Sequence, residues 1–286
     1  MDRRQFFGRS AMGLGGALLA SQFPMNLHAA EGRKVFNKPV GFQVWTVKDQ
    51  LVKDFPGTLK MMADQGYKSV EMCSPAGYES SGFGPLMSLT GKEVKSIVED
   101  AGLILESTHY GMGELRDSLE QRIEWAAESG QKQMICSSFW LPKDAIMSDW
   151  HKAIDELNEI GAKTKRAGIQ MGFHNHHMEF EKLDGVLIYD ELMDRFDPEL
   201  IKMQFQVAVI NIGYKASYYF DKFPGRFISA HLADWSEEAK KQVPVGQGIV
   251  DWKELFEAGE KCGVKNYFVE MDPENFKDSA EYLSKL

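Results

Sequence analysis

Short apolar runs and longer amphipathic stretches alternate along the chain. The amphipathic stretches end at a glycine, and an apolar run opens one or two residues later. Five such joints recur: Asp64-Gln-Gly66-Tyr, Asp100-Ala-Gly102-Leu, Glu128-Ser-Gly130-Gln, Arg166-Ala-Gly168-Ile and Lys261-Cys-Gly263-Val. A glycine just past a helix end takes the left-handed conformation that caps the helix, so each joint reads as helix, cap and strand. The apolar runs predict strands over 39–46, 68–73, 104–109, 133–137, 170–176, 201–207, 227–232 and 266–271. Helical stretches lie near 56–65, 91–101, 113–129, 148–167, 187–195, 215–222, 251–262 and 274–285. The helical period is clearest over 149–168, where Trp150, Ile154, Leu157, Ile160 and Gly161 follow it. Strands alternating with helices imply a parallel sheet, and eight such units imply an α/β fold closed into a single (β/α)8 TIM barrel. An open doubly wound sheet lacks support, because no glycine-rich phosphate turn follows the first predicted strand.

The first thirty residues stand apart from this pattern. Arg3-Arg4 precede Phe6-Phe7, a Gly/Ala/Leu run covers 11–20, and small residues follow at Ala29-Ala30. A charged start, an apolar middle and a small-residue cleavage zone predict an export signal over 1–30. The paired arginines point to the twin-arginine (Tat) route and a periplasmic destination. The apolar run is too short and glycine-rich for a good membrane span, so no membrane partner is expected after signal removal. Taking away about 30 residues leaves roughly 255, close to the usual size of one such barrel, which is assigned to 31–286. A formal charge of −9 argues against a nucleic-acid partner. Cys73, Cys136 and Cys262 are odd in number and lack metal-type spacing, so three buried thiols are expected. Nothing in the sequence sets the assembly, and a homo-oligomer stays open.

In a barrel of this kind, chemistry collects where strands end and loops begin. Those positions carry Gln43 and Trp45, Glu71, His109, Ser137 and Ser138, His174 and His176, Gln206, His231, and Glu270 with Asp272. Glu71, His109, His231 and Glu270 each interrupt an apolar run, and such a group must find a partner when buried. The fifth strand end is the densest, since His174, His176 and His177 fall within four residues with Glu179 just beyond. Side chains alternate along a strand, so His174 and His176 face one way and Asn175 the other. Two imidazoles and a nearby carboxylate suit a metal or an acid–base site. Two long connections, 74–90 and 234–250, follow strands and are placed at the same mouth, where long loops shape a pocket. Trp45, Tyr110, Phe139, Trp140 and Trp235 lie near those ends and are able to stack on sugar faces.

The chain resembles the sugar phosphate isomerase/epimerase group of xylose-isomerase-like TIM barrels over nearly its whole mature length. The resemblance is carried by Gly41-Phe-Gln-Val-Trp45, Gly66-Tyr-Lys-Ser-Val-Glu71 and His174-Asn-His-His-Met-Glu-Phe180. It continues in Phe223-Pro-Gly-Arg-Phe-Ile-Ser-Ala-His231-Leu-Ala-Asp234, Val245-Gly-Gln-Gly-Ile-Val-Asp-Trp252 and Tyr267-Phe-Val-Glu-Met-Asp272. It implies a divalent cation at the barrel mouth, often manganese. By position its ligands are His174 (or His176), Gln206, His231 and Glu270. The group usually has aspartate where this chain has Gln206, and often glutamate where it has Gln247. Losing those charges favours a nitrogen-tolerant metal such as Mn, Fe or Zn over Mg or Ca, or leaves the site vacant.

The resemblance further implies an enzyme acting on a small carbohydrate, a keto-sugar or 3-keto-glycoside, through an enediolate. A metal, or His109 and His231 without one, polarises the carbonyl, and Glu270 or Glu71 removes the adjacent proton. Re-protonation gives isomerisation or epimerisation; loss of a beta leaving group gives a lyase. Gln43, Trp45, His176, Trp235 and Gln247 are the expected substrate contacts. A sugar-binding protein with a degenerate site is the rival reading. A DNA-repair endonuclease is disfavoured by the acidic charge.

Overall fold

The structure, a computed structural model, describes residues 36–286. The predicted export signal lies outside the described residues. Residues 36–286 hold eight long parallel strands: β1 (Val40–Gln43), β2 (Ser69–Cys73), β3 (Ile104–Tyr110), β4 (Gln133–Cys136), β5 (Gln170–His174), β6 (Ile201–Gln206), β7 (Phe227–Leu232) and β8 (Asn266–Val269). They pair in chain order, and β8 returns to β1 with Val40 opposite Tyr267, closing the barrel. At that seam Gly41 leaves no room for a side chain, because an added Cβ would sit 2.5 Å from the Phe268 ring and the Ser69 hydroxyl.

Helices Phe55–Asp64, Gly91–Asp100, Met112–Ser129, Met147–Arg166, Ile188–Arg195, Ala216–Lys222, Trp252–Cys262 and Phe276–Lys285 follow the strands in turn. The predicted glycine caps form: Gly130 and Gly263 end their helices at φ 78° and 90°. Thr90 and Glu93 make a reciprocal capping box at the start of Gly91–Asp100. Large rings such as Phe205 and Phe220 are fully buried between sheet and helices, each stabilising the fold by about 1.5–3 kcal/mol. Cys73, Cys136 and Cys262 are buried free thiols. Among the described residues no helix is long and apolar enough to cross a membrane.

Five predicted strands run past their observed ends, and in three of them the reason is shared. A polar side chain at the strand end captures a backbone N–H a few residues away and turns the chain out of the sheet. Gln43 accepts from the Trp45 N–H, so β1 stops and Trp45 opens a 3-10 turn. Glu179 accepts from the His176 N–H at 2.6 Å, so β5 stops at His174. Gln206 accepts from the Ala208 N–H at 3.2 Å, starting the 3-10 turn Val207–Ile212.

Both long connections are built loops. The first folds into 3-10 turns at Glu79–Ser81 and Gly84–Leu86, with Tyr78 and Phe83 buried beneath Trp45. The second begins as an antiparallel hairpin, Asp234–Ser236 with Lys241–Val243. The remainder wraps around the Asp234 carboxylate, which accepts from the N–H groups of Gly246 (2.9 Å), Gly248 (3.1 Å) and Val250 (3.2 Å). The indole N–H of Trp252 adds another bond at 2.9 Å. A side chain at position 248 would lie 2.1 Å from that carboxylate, hence the glycine.

Candidate active site

The strand tips bring the apolar-run interruptions together. Glu71, the middle residue of β2 and 0% exposed, is the hub. One oxygen accepts from Ser107 (2.5 Å) and from the Gln204 amide (2.8 Å). The other lies 2.5 Å from His231 Nε2 and 3.0 Å from His109 Nε2. His231 Nδ1 in turn lies 2.9 Å from Glu270 Oε2. Gln204 carries the network on, meeting His109 Nε2 at 2.7 Å and donating to Ser229 at 2.9 Å. The result is a carboxylate–imidazole–carboxylate chain crossing the barrel from Glu71 through His231 to Glu270.

Burial pushes the Glu71 carboxyl up, but His109 and His231 outweigh it and hold it far below the usual range. Burial likewise opposes a charge on His231, yet Glu270 and Glu71 push its pKa up to about 9. Glu270 is also held low, because His231 overcomes its burial. The chain therefore carries two carboxylates around one imidazolium at neutral pH. His176 is pushed down to about 4, mainly by burial, and is neutral there.

A cavity of about 260 Å³ opens above the chain. Its walls include Gln43, Trp45, His109, His176 and Glu270, all expected at the site. Glu270 keeps 16% of its side chain exposed to it. Glu71 lies underneath with both oxygens engaged, so it positions His109 and His231 and does not reach a bound molecule. Trp235 and Gln247 do not line the cavity. Asp234 ties their loop back on itself, leaving Gln247 exposed and Trp235 half-buried. Tyr78 joins the wall, its hydroxyl donating to Ser137 at 2.5 Å, though it sits in a loop that periodicity does not reach. Gln204 and Ser229 were also missed as site residues. Gln204 shares a face with Gln206 two positions on, and that spacing was the signal available.

His109, His174 and His231 bring ligand atoms within 4.8 Å of one another, all buried. His174 Nδ1 is buried with no hydrogen-bond partner in the protein, and burial followed by His231 holds its pKa well below normal. The neutral, unpartnered His174 nitrogen suits a nitrogen-tolerant divalent cation, and His231, protonated between Glu71 and Glu270, would have to lose a proton to join it. Gln206 departs from the expected ligand set. Its amide donates to Glu270 Oε2 at 2.7 Å while its oxygen accepts from Ala208. Both neighbours fix that orientation, so Gln206 braces Glu270 while His109 takes its place in the cluster.

Fold and site together define a (β/α)8 barrel with an acid–base centre at its C-terminal mouth. The chain belongs to the xylose isomerase-like TIM barrel family, whose model matches residues 59–286. It is similar in structure to a sugar phosphate isomerase/epimerase from Parabacteroides distasonis, with TM-score 0.74 and 23% identity over 91% of this chain and 97% of that one. A 3-keto-D-glucoside 4-epimerase from E. coli superposes with TM-score 0.60 and 16% identity, covering 87% of this chain and 100% of the other. At such identities the shared property is the fold. In sequence, an inosose dehydratase from Geobacillus thermodenitrificans is 25% identical over 146 residues, which is 44% of this chain and 48% of that protein. The match thus spans about half the length of that relative.

Proposed function

We propose that the chain is an exported enzyme of the sugar isomerase/epimerase kind, acting on a keto-sugar or 3-keto-glycoside through an enediolate. The observation that carries this reading is the Glu71–His231–Glu270 chain, which ends on the one carboxylate of the three groups that faces the cavity. Glu270 is ionised and takes the proton from the carbon next to the substrate carbonyl. Its low pKa makes it a weak base, so the carbonyl must be polarised. Neutral His176 lines the cavity and is placed to donate to the carbonyl oxygen as negative charge grows there. The His231 imidazolium compensates Glu270 and keeps it oriented. A divalent cation (Mn, Zn or Fe) held by the unpartnered Nδ1 of His174, with Glu270 and a His231 that had given up its Nδ1 proton, would add Lewis-acid polarisation of that oxygen when bound.

Returning the proton to the carbon from Glu270's conjugate acid gives epimerisation or isomerisation. Expelling a beta substituent from the same enediolate, with proton transfer to the departing oxygen, gives elimination. Both outcomes have a counterpart among similar proteins, one named for epimerising a 3-keto-D-glucoside and one for dehydrating an inosose. Export through the Tat route, read from Arg3-Arg4 and the apolar run behind them, places the enzyme in the periplasm and favours a glycoside over a sugar phosphate. The test is incubation of purified mature protein with 3-keto-glucosides and simple ketoses in deuterated water, with and without Mn. Deuterium at the carbon beside the carbonyl is expected. Binding without exchange would reject catalysis and leave a sugar-binding protein.

A further inference from the structure

Trp140 stands out on three counts. Its backbone φ is 52°, a left-handed conformation unusual for a bulky aromatic residue. It is 63% exposed, the most exposed of the large apolar side chains among the described residues. It also lines two cavities at once: the one above Glu270, and a second of about 510 Å³. The Ser138 hydroxyl accepts from the Trp140 N–H at 3.1 Å and holds the chain in this turn. On the catalytic side the indole lies 6.3 Å from the His176 ring, centroid to centroid. Strained backbone that the surroundings enforce collects where a protein handles a ligand, and an exposed tryptophan between two cavities is a partition both occupants touch.

The second cavity differs in chemistry from the first. The loop after β4 supplies Leu141, Pro142 and Ala145; Trp150 comes from the following helix; Leu183 and Ile188 come from the connection after β5. Its charged side chains are Lys143 and Glu181, both exposed. The catalytic cavity adds amide, imidazole, hydroxyl and carboxylate groups to the indoles of Trp45 and Trp140. A second sugar ring would find side-chain hydrogen-bond partners in the second cavity only in Lys143 and Glu181. An aromatic ring needs apolar walls and a face to stack on, which Trp140 and Trp150 offer.

We infer that the substrate is a glycoside with an aromatic aglycone, its oxidised sugar over Glu270 and its aglycone seated beyond Trp140 in the second cavity. This rests on the keto-glycoside reading of the catalytic cavity. It extends that reading by assigning Trp140, Leu183 and their neighbours as the specificity-determining wall.

The experiment compares methyl and p-nitrophenyl 3-keto-glucosides on the mature protein, by equilibrium binding and by turnover. The wild type is expected to bind the aryl compound about tenfold more tightly than the methyl one, the scale of one well-stacked buried ring. Trp140→Ala and Leu183→Lys are each expected to abolish that difference. Leu183 is half-buried and does not line the sugar cavity, so Leu183→Lys should leave methyl-glycoside binding unchanged. Aryl preference that Leu183→Lys erases, with no turnover of either compound, would uphold the aglycone site and reject the catalytic reading. Equal affinity for both compounds in the wild type, or aryl preference surviving in both variants, would overturn the aglycone site, whether or not turnover occurs.

Discussion

Two buried carboxylates near the mouth, Glu71 and Asp234, are nearly equal in exposure, 0% and 1%, and opposite in use. Asp234 is satisfied by backbone: N–H groups of Trp235, Gly246, Gly248 and Val250, and one indole N–H. Glu71 is satisfied by side chains that themselves titrate or reach the cavity, His109 and His231 above all. Backbone amides cannot give up a proton at ordinary pH, so Asp234 organises a loop and does nothing else. Imidazoles can, so Glu71 sets the charge and orientation of groups that face a ligand. A buried acid therefore reads as structural or functional according to what donates to it.

The contrast breaks or sharpens in four ways. Glu270→Gln, at the working end of the imidazole chain, is expected to lower turnover about a thousandfold, the range of a lost general base. Its stability should change by no more than about 1–2 kcal/mol. Retained turnover in a substrate assay would remove Glu270 from the chemistry. Asp234→Ala should instead cost about 3–4 kcal/mol in urea unfolding, since each stranded buried donor costs about 1–3 kcal/mol and water rescues some of them. Unchanged stability would end the structural assignment.

Glu179 is the intermediate case. One oxygen accepts from the His176 N–H and the other has no partner in the protein. Burial pushes its pKa up to about 7. The folded value exceeds the unfolded one, so the folded state holds the extra proton. Its contribution is complete below pH 4.5 and is lost as pH rises through about 7. The loss by pH 8 should be on the order of 3 kcal/mol. Unfolding measured across that range is expected to be steeper in the wild type than in Glu179→Gln; parallel curves would count against it. The smallest effect concerns Gln206→Asp. It removes the donor to Glu270 and sets a second negative charge beside it, which a cation would relieve. About tenfold tighter Mn binding is expected in a chelator competition, and an unchanged constant would show that charge at 206 does not reach the metal.

Much of this was legible before any coordinates. Period and glycine caps name the eight strands and helices because backbone chemistry repeats at every joint. Glu71, His109, His231 and Glu270 announce themselves as polar breaks in apolar runs. Residues that serve the site through ordinary polar chemistry do not. Gln204, Ser107 and Ser229 look like any strand polar group until the barrel closes, and Tyr78 reaches the wall through a loop whose path depends on packing under Trp45. Trp235 and Gln247 were placed at the cavity by their loop's position. Asp234's hold on that loop is a tertiary fact, and it keeps them away.

The relay is sealed at one end. Glu71 has both oxygens occupied and no contact with water, whereas Glu270 retains an open edge. A hydrogen lifted from a substrate carbon thus has a short way out to the medium and no onward way into the barrel. On the proposed reaction, the isotope of the surroundings, not that of the starting sugar, is what the product inherits.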